Sequence, residues 1–237
     1  MRPSKVSSED TASGERQWAM VIDQSKCTGC GHCTLSCRAH NDVSPGISWN
    51  EVLPAGKVGE HQVFIARPCM HCENAPCVDV CMVGASYYRP DGIVMMNYDK
   101  CIGCKYCSWS CPYGARELDE KQKVMKKCTL CVDRIYDEAL PESERKPACV
   151  MSCPPAARLF GDIHDPESDV SIAIREAGGY QLMPEWGTQP ANHYLPRRKT
   201  RMTIHQDELV RADNPLNKEH YAEPEFDDPS LDDVTSW

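Results

Sequence analysis

Cys101-Ile102-Gly103-Cys104-Lys105-Tyr106-Cys107-Ser108-Trp109-Ser110-Cys111-Pro112 is the stretch from which the rest of the chain can be read. Its spacing is C-x2-C-x2-C-x3-C-P. Three closely spaced thiolates bend around one corner of a cubane iron–sulfur cluster, and the fourth cysteine, set before a proline, reaches towards a neighbouring cluster. Zinc sites space their cysteines differently, with one C-x2-C knuckle, a long gap and a second knuckle. A non-redox zinc scaffold is therefore the weaker reading, and iron and sulfide analysis separates the two.

Three further groups repeat the plan. Cys27-x2-Cys30-x2-Cys33-x3-Cys37 lies upstream, with Arg38 where the proline stood. Cys69-x2-Cys72-x4-Cys77-x3-Cys81 has a wider middle gap, with Pro76 just before Cys77. The last group is split: Cys128-x2-Cys131, seventeen residues, then Cys149-x3-Cys153-Pro154. All sixteen cysteines of the 237-residue chain lie between Cys27 and Cys153, in four clumps of four. The count alone would suit a disulfide-rich secreted scaffold. Partners two or three residues apart, four times over, do not suit disulfide geometry. Four cubanes use sixteen thiols with none left over.

Charge and hydropathy narrow the class. The net charge is −9, yet residues 203–237 hold ten Asp or Glu against Arg211 and Lys218, so the remainder is close to neutral. No basic stripe points to nucleic acid. There is no run of eighteen apolar residues, so no membrane span is expected. The N-terminus has neither an apolar h-region nor a twin arginine, which predicts a cytoplasmic protein unless a partner carries it across. No Ser-His-Asp set, carboxylate pair, phosphate loop or dinucleotide fingerprint is visible. The chain has ligands for electron carriers and no evident place for a substrate.

Local patterns place the cysteine groups on small elements. Gln17–Asp23 reads as a strand leading into the first group. Residues 41–60, with their Asn, Pro and Gly, predict a loop. His61–Ala66 reads as a strand, and the segment from Tyr87 to Val94, with Asp91-Gly92 at its turn, as a hairpin. Lys123–Lys127 and Leu159–Ile163 read as strands, and the charged insert between Cys131 and Cys149 as partly helical. A helix is expected over Asp165–Ala177, with Asp165 as N-cap, Pro166 at the first helical position and Gly178-Gly179 ending it. So many thiols in so short a segment leave little room for an aliphatic core. Clusters should replace it, and the apoprotein should be largely unfolded.

Basic residues precede each group: Lys26, Arg67, Lys100 and Lys127. Each is a candidate for raising a cluster potential by favouring the more negative reduced form; each could equally be an ordinary solvated charge. His32 and His71 sit inside groups, but the cysteines already suffice as ligands. Tyr106 and Trp109 read as hydrophobic shielding rather than redox relays.

Four cysteine groups in this order, the second widened and the fourth split, resemble the electron-transfer subunit of the DMSO reductase family of molybdenum enzyme complexes. The resemblance runs from about Trp18 to Arg198 and includes the later stretches PPAARLFGDIHDPES and GTQPANHYLP. It implies an α+β protein of two ferredoxin-like domains, the inner inserted into the outer, with small β-hairpins and short helices around four [4Fe-4S] clusters. The expected division is a disordered 1–16, an outer domain of 17–60 and 118–180, an inner domain of 61–117, an extended docking segment of 181–202 and an acidic tail of 203–237. That tail reads as a disordered solubilising segment or as an arm that orders on a partner.

The family's ligation carries over residue by residue. It implies one cluster on Cys27, Cys30, Cys33 and Cys153 and another on Cys37, Cys128, Cys131 and Cys149. A third would take Cys69, Cys72, Cys77 and Cys111, and the fourth Cys81, Cys101, Cys104 and Cys107. The sequence by itself equally allows neighbouring groups to pair, first with second and third with fourth; an intact inner unit favours nesting. Some relatives replace a cysteine of the third group with tryptophan and hold a three-iron cluster, but Cys107 is present here. The partners implied are a molybdopterin catalytic subunit and an integral, quinone-reactive membrane anchor, which would hold the chain on the inner face of the cytoplasmic membrane. The C-terminal region is similar to cytoplasmic sulfite dehydrogenase subunits, which points to sulfite oxidation to sulfate. Reduction of DMSO, tetrathionate or polysulfide is the close alternative. A freestanding polyferredoxin, or a hydrogenase or formate dehydrogenase subunit, is the more distant one.

Overall fold

A computed structural model describes residues 16–197. The expectations for the first fifteen residues and for the acidic tail lie outside the described residues.

The organising strand is β1 (Trp18–Asp23), whose residues Ala19, Met20, Val21 and Ile22 are all buried. Its run from Trp18 to Ile22 is apolar without a break because it is covered on both faces. It forms the centre of a three-stranded sheet, antiparallel to β8 (Arg158–Asp162) and parallel to β9 (His193–Leu195). The register sets Trp18 opposite Asp162 and Ile22 opposite both Arg158 and Tyr194. Residues far apart in sequence thus become neighbours. One face of this sheet carries the small aliphatic core, where Val21, Leu159 and Leu195 pack on Val170, Ala173, Ile174 and Ala177 of α6 (Asp169–Ala177).

The other sheets are two-stranded: β2 (Asn50–Val58) with β3 (His61–Pro68), β4 (Ser86–Tyr88) with β5 (Val94–Met96), and β6 (Glu117–Asp119) with β7 (Val124–Lys126). The helices between them are short: α1 (His32–Asn41), α2 (Pro76–Asp79), α3 (Tyr106–Trp109), α4 (Val132–Ile135) and α5 (Ala148–Met151). Helix α1 packs on α5, and α2 on α3. Such mixed small sheets and few helices make an α+β protein of ferredoxin-like domains.

Two expectations need correction. Residues 41–60 are not all loop, because β2 occupies Asn50–Val58 and pairs antiparallel with β3 across an irregularity between Pro54 and Lys57. Proline and glycine signal a loop locally, but a bulge and an edge position accommodate both once a partner strand is present. Helix α6 starts three residues later than expected. Ser168 is its N-cap and accepts from the Ser171 amide, whereas Asp165 takes the Glu167 amide in a turn of its own. Its C-terminus falls at Gly178, in the left-handed region at φ 69°.

Residues 181–197 are bound to the rest of this chain. Asn192 is fully buried; its Oδ1 accepts from the Met20 amide at 2.8 Å and its Nδ2 donates to the Cys69 carbonyl at 3.0 Å. Tyr194 donates to the Ala66 carbonyl at 2.9 Å, and the Glu73 and Asn74 amides donate to the Gln189 and Thr188 carbonyls. The segment therefore ties β1 to the loop that carries Cys69 and Cys72.

Candidate metal centres

The C-x2-C turns that open the four groups share one backbone conformation. In each, the residue just before the second cysteine is left-handed: Gly29 at φ 73°, His71 at φ 46°, Gly103 at φ 68° and Leu130 at φ 57°. Glycine adopts this without strain. It is also sterically required at two of the four turns. A Cβ on Gly29 would collide with the Phe64 ring, and one on Gly103 would stand 2.5 Å from the Lys123 carbonyl oxygen. At the other two turns the non-glycine side chain is fully buried, so packing offsets the strain. The His71 Nδ1 accepts from the Val94 amide at 3.2 Å, so this ring is engaged with backbone, and burial keeps it neutral.

Cys27, Cys30, Cys33 and Cys153 line one pocket, together with Val52, Ala66 and Arg158. Among the described residues no three His, Cys, Asp or Glu side chains converge on one metal ion. The four thiols of that pocket face one shared space, the arrangement a polynuclear cluster requires. The other cysteines are gathered by the packed helix pairs. Cys37 on α1 feels the charge of Cys149 and Cys131, and Cys128 that of Cys37, Cys131 and Cys149. Cys72 and Cys77 each lie near Cys69 and Cys111, and Cys107 near Cys101. Cys81 follows α2 and accepts from the Ser86 amide at 3.3 Å. Cys104 sits in the turn before α3, half-buried. Proximity thus runs between the first and fourth groups and between the second and third, with Cys128 and Cys69 close enough to interact across the two halves.

The surroundings fit anionic sulfur. Backbone amides of Ala157, Leu130 and Met125 donate to the sulfurs of Cys153, Cys128 and Cys101, each at 3.3 Å. Asn41 Nδ2 reaches the Cys37 and Cys131 sulfurs at 3.7 and 3.8 Å. Burial pushes the Cys37 thiol up to about 12 and the Cys77 and Cys131 thiols up to about 11, with neighbouring thiols adding to the effect. Such thiols stay protonated alone. Ligation to iron would hold them as thiolates instead, which would couple cluster binding to folding.

The basic residues preceding each group are placed unequally. Lys26 is exposed and pairs with Asp23 at 3.5 Å, and Lys100 is exposed. Arg67 is held by Glu51 at 2.5 Å and by the Tyr113 carbonyl at 2.7 Å. Lys127 is 1% exposed, donates to the carbonyls of Val94 and Cys128, and acts on Cys77. Two cations that sequence reasoning passed over lie closer to sulfur. Arg158 is 4% exposed and reaches the Cys33 and Cys149 sulfurs at 3.4 and 3.5 Å, while Arg116 is 2% exposed and near enough to Cys107 to act on its charge. A signal existed: Cys111-Pro-Tyr-Gly-Ala-Arg116 and Cys153-Pro-Pro-Ala-Ala-Arg158 share C-P-x-x-A-R. Tyr106 and Trp109 pack at a tilt on the surface, their ring centroids 5.4 Å apart, and Trp109 is 68% exposed.

Comparison with known proteins agrees with this geometry. Residues 61–163 match a 4Fe-4S dicluster domain and residues 18–39 a 4Fe-4S binding domain. The sequence is 57% identical to a sulfite dehydrogenase subunit of Allochromatium vinosum over 240 positions, covering 93% of this protein and 99% of that one. It is 38% identical to a tetrathionate reductase subunit of Salmonella typhimurium over 190 residues, 77% of this protein and 74% of that one. A polysulfide reductase polypeptide of Wolinella succinogenes is 35% identical over 191 residues, 78% of this protein and 96% of that one.

Proposed function

The protein belongs to the iron–sulfur electron-transfer subunits of the DMSO reductase family of molybdenum enzyme complexes, and on that premise we propose that it conducts electrons from sulfite oxidation to a quinone-reactive membrane anchor. It is not itself the catalyst. The partner, a molybdopterin subunit, would convert sulfite and water to sulfate, two protons and two electrons. The electrons would then pass through four [4Fe-4S] clusters, the number that sixteen cysteines provide for. Identity of 57% over nearly the whole length of a sulfite dehydrogenase subunit carries the choice of sulfite over DMSO, tetrathionate or polysulfide.

The ligand sets follow the nested pairing: Cys27, Cys30, Cys33 and Cys153; Cys37, Cys128, Cys131 and Cys149; Cys69, Cys72, Cys77 and Cys111; Cys81, Cys101, Cys104 and Cys107. Support comes from the single cavity that the first set lines and from the thiol proximities between first and fourth and between second and third groups. The same proximities support an inner ferredoxin-like domain inserted into an outer one. The nearness of Cys128 to Cys69 supports a continuous path, in the order in which the sets are given. The protein's part is to hold each set in a donor-lined shell; bound clusters would supply one-electron chemistry at potentials set by that shell.

Among the described residues no helix is long and apolar enough to cross a membrane. We place the protein on the inner face of the cytoplasmic membrane, held there by the anchor. The test is anaerobic purification of the whole complex, with iron and sulfide counted and low-temperature EPR recorded before and after sulfite. Sixteen irons per chain and clusters reduced by sulfite are expected. A large subunit that reduces tetrathionate or polysulfide and ignores sulfite would overturn the substrate, and a strong three-iron signal would overturn the cluster count.

A further inference from the structure

Arg116 and Arg158 stand at matching places in the two halves. Each follows its Cys-Pro by the same offset, after a left-handed residue three positions beyond the cysteine, Gly114 at φ 58° or Ala156 at φ 48°. Each enters a strand, Arg158 as the first residue of β8 and Arg116 just before β6. Both guanidiniums are buried. Arg158 donates to Asn50 Oδ1 at 2.7 Å and to the Met20 sulfur at 3.1 Å, and Arg116 to Ser86 Oγ at 2.7 Å. The Nε and Nη1 of Arg116 have no hydrogen-bond partner.

The groups that act most on these charges are mainly sulfurs, and among the described residues neither arginine forms an ion pair with a carboxylate. Arg158 is held by Cys149, Cys33 and Cys153, and Arg116 by Cys77, Cys69, Cys107 and Cys111. The sulfurs around each arginine come from two ligand sets. A buried cation with no carboxylate partner is strongly unfavourable unless another anion faces it. Four thiolates around iron supply that anion, and here two such sets supply it.

We propose that each arginine is a shared counter-charge serving two clusters at once, Arg158 the two of the outer half and Arg116 the two of the inner half. The inference rests on the four-cluster reading above. A cation between two clusters stabilises the reduced, more negative form of both. It raises both potentials and moderates the repulsion between two reduced neighbours. Lys127, buried beside Cys128 and acting on Cys77, stands in the same relation to the central passage. Arg116 and Arg158 are thus positioning residues that level the potential along the path.

The test uses the whole complex carrying Arg116→Gln or Arg158→Gln, with Arg116→Lys and Arg158→Lys as charge-retaining controls. EPR-monitored redox titration reads each cluster, and iron analysis reads occupancy independently. Each Gln variant is expected to disfavour reduction of two clusters at least tenfold, about 59 mV for a one-electron couple. The two pairs should be different pairs. The Lys variants should stay within about threefold of the parent. A Gln variant that moves one cluster alone, all four alike or none, with sixteen irons present, overturns the proposal. Should a Gln variant assemble with fewer irons, its Lys counterpart decides: full occupancy supports a role for charge, and the same loss overturns it. Sixteen irons in the parent test the four-cluster reading separately.

Discussion

Adding one methyl group to the ligand turns should have graded effects, set by what each Cβ would meet. Gly31, Gly29 and Gly103 are all left-handed, at φ 75°, 73° and 68°. An alanine in that region costs about 1–2 kcal/mol in backbone strain. At Gly31 nothing lies within 4 Å of the new Cβ, so Gly31→Ala should cost that and no more. At Gly103 the Cβ would stand 2.5 Å from the Lys123 carbonyl oxygen, a backbone atom of the turn between β6 and β7, which must move with it. Overpacking adds about 1–3 kcal/mol, for a total of about 2–5 kcal/mol. At Gly29 the obstacle is the ring of Phe64, a half-buried side chain that can swing aside. Gly29→Ala should therefore fall between the other two. Combining it with Phe64→Ala should recover the steric part and leave the strain, a double-mutant interaction of about 1–2 kcal/mol. The assay is the rate at which a chelator bleaches the cluster absorbance, which reports local opening of the ligand turn. Each step of about 1.4 kcal/mol then appears as about a tenfold faster loss. Gly103→Ala bleaching no faster than Gly31→Ala would refute the reasoning, as would the absence of rescue by Phe64→Ala.

Cys153→Ser should damage the same cluster as Cys30→Ser, although 123 positions separate them, since both thiols line one cavity; EPR of the two variants checks this, and damage shared with Cys104→Ser instead would break the pairing. Asn192→Ala should leave the Met20 amide and the Cys69 carbonyl buried and unpaired, at about 1–3 kcal/mol for each. Hydrogen exchange at Met20 and faster chelator attack on the cluster of Cys69 read that loss, and unchanged rates at both would count against the tie.

The ligand turns are local objects. A C-x2-C-x2-C run brings three thiols within reach of one cluster from a single loop, so the spacing around Cys101, Cys104 and Cys107 carried its meaning in the chain itself. Strands with an apolar alternation of their own, such as Trp18–Asp23 and His61–Pro68, were readable for the same reason. Strand β2 was not, because Asn50–Val58 contains Pro54 and Gly56 and becomes a strand only against β3. The start of α6 was misplaced because Asp165 and Ser168 are both competent caps, and packing against the β1 sheet chose the second.

What the sequence by itself determined is therefore the chemistry: sixteen thiols, their grouping into four ligand runs and the cofactor those runs suit. What only the tertiary structure decided is which distant groups meet and which charges act on them. Lys26 and Lys100 adjoin ligands in sequence yet lie in solvent, where their charge is screened. Arg116 and Arg158 stand five residues beyond a cysteine and are buried among the sulfurs of two cysteine groups. The physical reason is that a thiol's ligand spacing is a property of a few bonds, whereas the dielectric around a charge belongs to everything folded over it.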